Sequence, residues 1–158
     1  MLGDISKNEV ELLNVYALLG PTGQKDLKDY IRYLLTKQYR KDVMTAVFNN
    51  KLIQNLLHSL LHIIEKDDFD IYQAKKRILQ IKELYYGVFE KVHLRYAELI
   101  EDLDSNEIVR EFGRISFENL NMAFDSNDRG KIQFEIINFY QEYMRLSKKK
   151  DARQIVAV

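Results

Sequence analysis

The sequence has no cysteine and no tryptophan, a single proline (Pro21), and only six glycines in 158 residues. Without cysteine there is no disulfide, no thiol nucleophile and no thiolate metal site, and a reducing cytoplasmic setting fits. So little proline and glycine leaves few places to turn. Together with abundant Leu, Ile, Lys, Glu and Gln, this predicts an all-α chain. Net charge is absent too, with 24 basic residues against 24 acidic ones. A balanced chain does not grip nucleic acid by neutralising phosphates, so any DNA contact is expected from a domain not present in this chain. The opening Met1 to Ile5 carries no apolar signal core, and charges or histidines interrupt every apolar patch well short of a membrane span. A soluble protein with no membrane contact is expected.

What is present is hydrophobic periodicity. From Phe69 to Leu103, alternating steps of three and four pick out Ile71, Ala74, Ile78, Ile81, Tyr85, Val88, Val92, Tyr96 and Leu99, uninterrupted by proline. An unbroken helix of that length would run on the order of 50 Å, longer than the roughly 40 Å breadth of a compact chain this size. The spacing therefore predicts one long central helix that either bends near Gly87 or protrudes and pairs with a second copy.

Ser6-Lys7-Asn8-Glu9 has the form of a capping box. Val10, Leu12, Leu13, Tyr16 and Leu19 follow as an apolar face until Gly20-Pro21 stops the helix. The next stripe is Leu27, Tyr30, Ile31, Leu34 and Leu35. Beyond the basic patch Lys37–Lys41 it resumes with Val43, Met44, Val47 and Phe48, and Asn49-Asn50 marks a break. Leu52, Ile53, Leu56, Leu57, Leu60, Leu61 and Ile64 form a strongly apolar third helix ending in the charged run Glu65–Asp68. Asp104-Ser105-Asn106-Glu107 is a further start signal, with Ile108, Phe112, Ile115, Met122 and Ala123 at helical spacing after it. A loop at Asp125–Gly130 precedes the last amphipathic stripe, Ile132, Ile136, Phe139, Tyr143 and Leu146. The expectation is a bundle of five to six helices.

Several motifs fail on inspection. Gly20-Pro21-Thr22-Gly23-Gln24-Lys25 resembles a phosphate loop, but two residues separate the glycines instead of four and no Ser or Thr follows the lysine. A turn between helices explains it. Asp125 to Gly130 matches part of a calcium loop, yet Arg129 stands at a ligand position and Ile136 where a bidentate carboxylate is needed. His58 and His62 lie one helical turn apart with Glu65 beyond them, but Ser59 occupies the place of a zinc-protease glutamate, so packing is the expected role. His93 stands alone. The tyrosines fall mostly on apolar faces, as core or interface residues do. No nucleophile, acid–base pair or metal cage emerges, and neither enzymatic activity nor a cofactor is expected.

Leu2-Gly3-Asp4, Glu11-Leu12-Leu13 with Tyr16 and Leu19, Gly23-Gln24-Lys25-Asp26-Leu27, Asp29-Tyr30-Ile31 and Tyr39-Arg40-Lys41 resemble the segment following the DNA-binding domain in phage-repressor-like helix-turn-helix regulators. In that family a helical hairpin of this pattern helps the protein dimerise. The DNA-reading helix-turn-helix itself is missing here. The resemblance thus implies a chain cut after that domain or a shortened relative. A weaker likeness joins Arg77-Ile78, Ile81 and Glu98-Leu99-Ile100 to bacterial sensor globins. Lys82 stands where that family has its iron-ligating histidine, and a protonated amine does not ligate iron, so only a haem-free relative would fit.

Three regions are expected: a dimerisation-type hairpin over 1–50, a bundle over 51–147 for effector response or oligomerisation, and a flexible tail over 148–158. The expected function is that of a dimerisation and effector-response module of a transcriptional repressor. It would form a homodimer and answer to a protein, peptide or apolar small-molecule effector. The candidate dimer interface is Leu12, Leu13, Tyr16, Leu27, Tyr30, Ile31 and Leu34 with Ile78, Ile81, Tyr85, Val88 and Val92. The alternative is a haem-free sensor with a pocket around Leu56, Leu60, Ile81, Lys82 and Tyr85.

Overall fold

The computed structural model describes residues 5–100, 103 and 107–156, with side chains described as far as Lys148 except that of Glu107. These residues form six α-helices and no strand: α1 (Lys7–Leu18), α2 (Pro21–Phe48), α3 (Lys51–Ile63), α4 (Ile71–Ala97), α5 (Glu107–Asp125) and α6 (Arg129–Val156). The fold is an all-α bundle. Its chain divides between Lys37 and Gln38 into two compact units.

In the first unit the capping box forms as read. Ser6 N–H donates to Glu9 Oε2 at 2.6 Å, and Ser6 Oγ accepts from Glu9 N–H at 3.3 Å. Pro21 opens α2 at the first helical position, where its missing N–H has no consequence. The Gly23-Gln24 pair proves to be a joint. The Gln24 amide donates to the carbonyls of Tyr16 and Leu19, both at 3.2 Å, adding a second donor to the Tyr16 carbonyl, which already accepts from the Leu19 N–H at 3.1 Å. A β-carbon on Gly23 would lie 3.3 Å from the Leu19 side chain.

The second unit is a ring of four helices, in which α3 packs on α4, α4 on α5, α5 on α6 and α6 back on α3. Asn50, Asp70 and Asp128 cap α3, α4 and α6, each with Oδ1 accepting from two backbone N–H groups of the first turn. Between α5 and α6, Asn127 adopts φ 54°, a left-handed conformation that asparagine tolerates better than most residues. The Asp125–Gly130 stretch is therefore an interhelical turn. Two hydrogen bonds fasten it beside the α3–α4 turn: Arg129 Nε to the Phe69 carbonyl at 2.9 Å and Gln133 Nε2 to the Ile64 carbonyl at 2.8 Å.

The end of α2 belongs to this second core. Tyr39, Val43, Val47 and Phe48 are fully buried. The Phe48 ring meets Tyr85 and Phe112 edge-on and tilts against Tyr143. Division at residue 50 is thus corrected. Asn49-Asn50 is where the helix breaks, but packing changes inside α2, where the first buried side chain is Tyr39. Of the expected 148–158 tail, residues 148–156 continue α6, and 157–158 lie outside the described residues.

α4 is a 27-residue helix that continues through Gly87 without a break. Its length, roughly 40 Å at 1.5 Å per residue, needs no protrusion to explain it. Ala74, Ile78, Ile81, Tyr85, Val92 and Tyr96 are buried by the chain's own helices, while Leu99 is exposed. The α6 stripe is buried at all five positions read from the sequence. The α5 stripe is buried only in part, at Ala123 and partly at Phe112, whose ring packs on Phe48, Tyr85 and Phe139. Ile108, Ile115 and Met122 face solvent, and Val109, Phe117, Leu120 and Phe124 form the buried face. Of the Asp104–Glu107 start signal, residues 104–106 lie outside the described residues.

Candidate assembly face

The N-terminal candidates lie at the surface. Leu12 (56% exposed), Leu13 (58%), Tyr30 (58%), Ile31 and Leu34 are open to solvent, and Tyr16 and Leu27 are half-buried. Val10, Val15, Leu18 and Tyr33, which the sequence reading left out of the interface, are exposed as well, Leu18 by 87%. No residue of α1 is buried. A helix apolar on most of its circumference is ordinarily covered, and among the described residues α1 has no buried side chain. Cations decorate the aromatics of the same unit. Lys28 Nζ lies 6.0 Å from the centre of the Tyr16 ring and Lys37 Nζ 5.4 Å from that of Tyr33, while Tyr30 and Tyr33 stack at 6.4 Å. The missed residues carried a signal in the sequence, since α1 is apolar at i+1 and i+2 as well as at i+3 and i+4. A reading restricted to one stripe passes over them.

The central-helix half of the proposed interface is corrected. Ile78, Ile81, Tyr85 and Val92 are buried inside the subunit, and Val88 is half-buried. A side chain already covered by its own chain offers no surface to a partner.

The alternative pocket is corrected on the same grounds. Leu60, Ile81 and Tyr85 are fully buried, while Leu56 and Lys82 are half-buried. The Tyr85 ring fills the space around it, with centroids 5.6 to 6.3 Å from those of Phe48, Phe112 and Phe117. Its hydroxyl donates to the Val109 carbonyl. Tyr143 does likewise, donating to the Val47 carbonyl at 2.6 Å. Burial pushes both phenols well above the ordinary tyrosine range, so each stays a neutral donor held by a backbone acceptor. Shallow depressions lie elsewhere. One between α5 and α6 is lined by Met122, Ala123 and Phe134, and another between α3 and α6 by Leu61, Ile64 and Ile137.

The histidines occupy structural positions. His58 tilts against the Tyr140 ring at 5.9 Å, and His62 Nδ1 lies 3.3 Å from Glu65 at the exposed end of α3. His93 Nδ1 is 2.9 Å from the Tyr39 hydroxyl, and its ring stacks on Phe89. Nearby, the Tyr96 hydroxyl donates to Asp42, so two side-chain pairs tie the end of α2 to α4. Among the described residues no group of three or more His, Asp or Glu side chains could hold a metal, and no helix is long and apolar enough to cross a membrane.

Set against protein-family models, curated proteins and solved structures, the chain matches none of them.

Proposed function

We propose that this chain is a non-enzymatic dimerisation and effector-response module of a transcriptional repressor, acting in the cytoplasm. Its pairing would control DNA-binding domains that the chain itself does not contain. One observation carries the reading: α1 and the first half of α2 hold Val10, Leu12, Leu13, Val15, Leu18, Tyr30, Ile31, Tyr33 and Leu34 open to solvent. The resemblance of this segment to the dimerising hairpin of phage-repressor-like regulators points the same way. In a two-fold pair each copy presents the same patch to the other, which fixes the separation of whatever each copy carries.

Light scattering across a dilution series tests the pairing, and a repressor assay tests its consequence. Fusing the chain to a monomeric DNA-binding domain is expected to restore cooperative occupancy of two half-sites. Occupancy no better than that of the isolated DNA-binding domain would sink the regulatory reading.

A further inference from the structure

A second apolar surface lies on the four-helix unit. Met122 on α5 is 66% exposed, and Phe134 and Ile137 on α6 are 62% and 43% exposed. Residues three apart on a helix are surface neighbours, so Phe134 and Ile137 join the two depressions that flank the start of α6. Leu61 continues the patch onto α3. The hydrogen bonds from Arg129 to Phe69 and from Gln133 to Ile64 hold the two turns at this end together, so the patch sits on a fixed platform.

Size and charge choose the occupant. The exposed parts of these side chains amount to a few hundred Å², typical of a functional patch on a monomer and well below the ~800 Å² per partner that a stable dimer needs. The patch suits a single helix laid across three others. The charged residues lining the two depressions are Glu65, Asp128 and Glu135 against Lys131. The adjoining turns add Asp67 and Asp68 against Lys66 and Arg129, five acidic residues against three basic ones in all. The surroundings are therefore net acidic.

We infer that the Met122–Phe134–Ile137 face docks a cationic amphipathic helix supplied by another protein. The inference rests on the reading of the chain as effector-responsive and names the chemical class of the effector. The occupant lays apolar side chains one turn apart on Phe134 and Ile137 and directs Lys or Arg toward Glu65 and Glu135.

The test uses the full chain and a fluorescein-labelled 18-residue Leu/Lys amphipathic peptide, with a Leu/Glu peptide of equal length as control, followed by anisotropy. Saturable binding of the Leu/Lys peptide is expected, weakened at least tenfold by Phe134→Asn and several-fold by the Glu65→Gln/Glu135→Gln pair. The Leu/Glu peptide should not bind. Phe134, Glu65 and Glu135 are not core residues, and circular dichroism on each variant verifies the fold. No binding, equal binding of both peptides, or binding indifferent to Phe134→Asn overturns the inference. So does self-association that Phe134→Asn abolishes, since the occupant is then a second copy. Light scattering on the same samples separates the two ideas: a dimer that ignores the peptide defeats only this inference, and a monomer that binds it defeats only the pairing.

Discussion

The ring of Tyr85 stands where a side chain on Gly113 would have to go. A β-carbon at Gly113 would lie 2.8 Å from Tyr85 Cε1 and 2.9 Å from the Tyr86 hydroxyl. Glycine here lets α5 approach α4 closely enough for Tyr85 to reach the Val109 carbonyl. Gly113→Ala is expected to destabilise the protein. Overpacking a filled core costs about 1–3 kcal/mol, which outweighs the gain in helix propensity of about 1 kcal/mol where Tyr85 has no room to yield. Urea unfolding measures it.

Gly87 provides the opposite case. It lies inside α4, and a β-carbon there would meet nothing within 4 Å. Gly87→Ala is expected to raise stability by about 0.5–1 kcal/mol through the unfolded chain's lost freedom and better helix propensity. A loss of stability in the same urea experiment would mean that α4 uses Gly87 to bend.

Much of the fold was legible before any coordinates, because helix ends are written in short-range chemistry. The Ser6–Glu9 box, the Gly20-Pro21 stop and the Asn49-Asn50 break are local signals and appear where they were read. The identity of the covering surface is not local. The stripe Ile78–Ile81–Tyr85 looks the same whether α5 or a second subunit buries it, and only the ring closure of α3 to α6 decides. On α5, Ile108, Ile115 and Met122 repeat as regularly as Val109, Phe117, Leu120 and Phe124, and Gly113 hides the second stripe by contributing no side chain. The change of packing within α2 was equally silent, since Tyr39 sits in a basic run that reads as a solvated face.

The buried phenols predict a pH dependence. Burial raises the values for Tyr85 and Tyr143 in the folded state above the ~10 of the unfolded chain. Their contribution is fully present below pH ~10 and is lost as pH climbs above it, because the unfolded state can then release protons that the folded state retains. The midpoint of urea unfolding is expected to be flat from pH 7 to 9 with respect to these groups and to fall from pH 10 to 11. Tyr143→Phe should lessen that fall. At neutral pH it should cost about 1–3 kcal/mol by leaving the Val47 carbonyl without its donor.

The exposed unit predicts that charge placed at its surface will separate subunits without unfolding them. Leu13→Asp combined with Ile31→Asp is expected to weaken association by tenfold or more while leaving the circular dichroism of the chain and its unfolding midpoint as a monomer intact. Both positions are exposed in the single chain, so loss of the fold in this variant would mean that they support the subunit itself.

Molar mass by light scattering across a hundredfold dilution of the full chain tests the central claim most directly. The account predicts twice the 18.8 kDa of one chain at high concentration, falling toward 18.8 kDa in the Leu13→Asp/Ile31→Asp variant. A wild-type mass of 18.8 kDa at every concentration, or a dimer that the double variant leaves untouched, would contradict it.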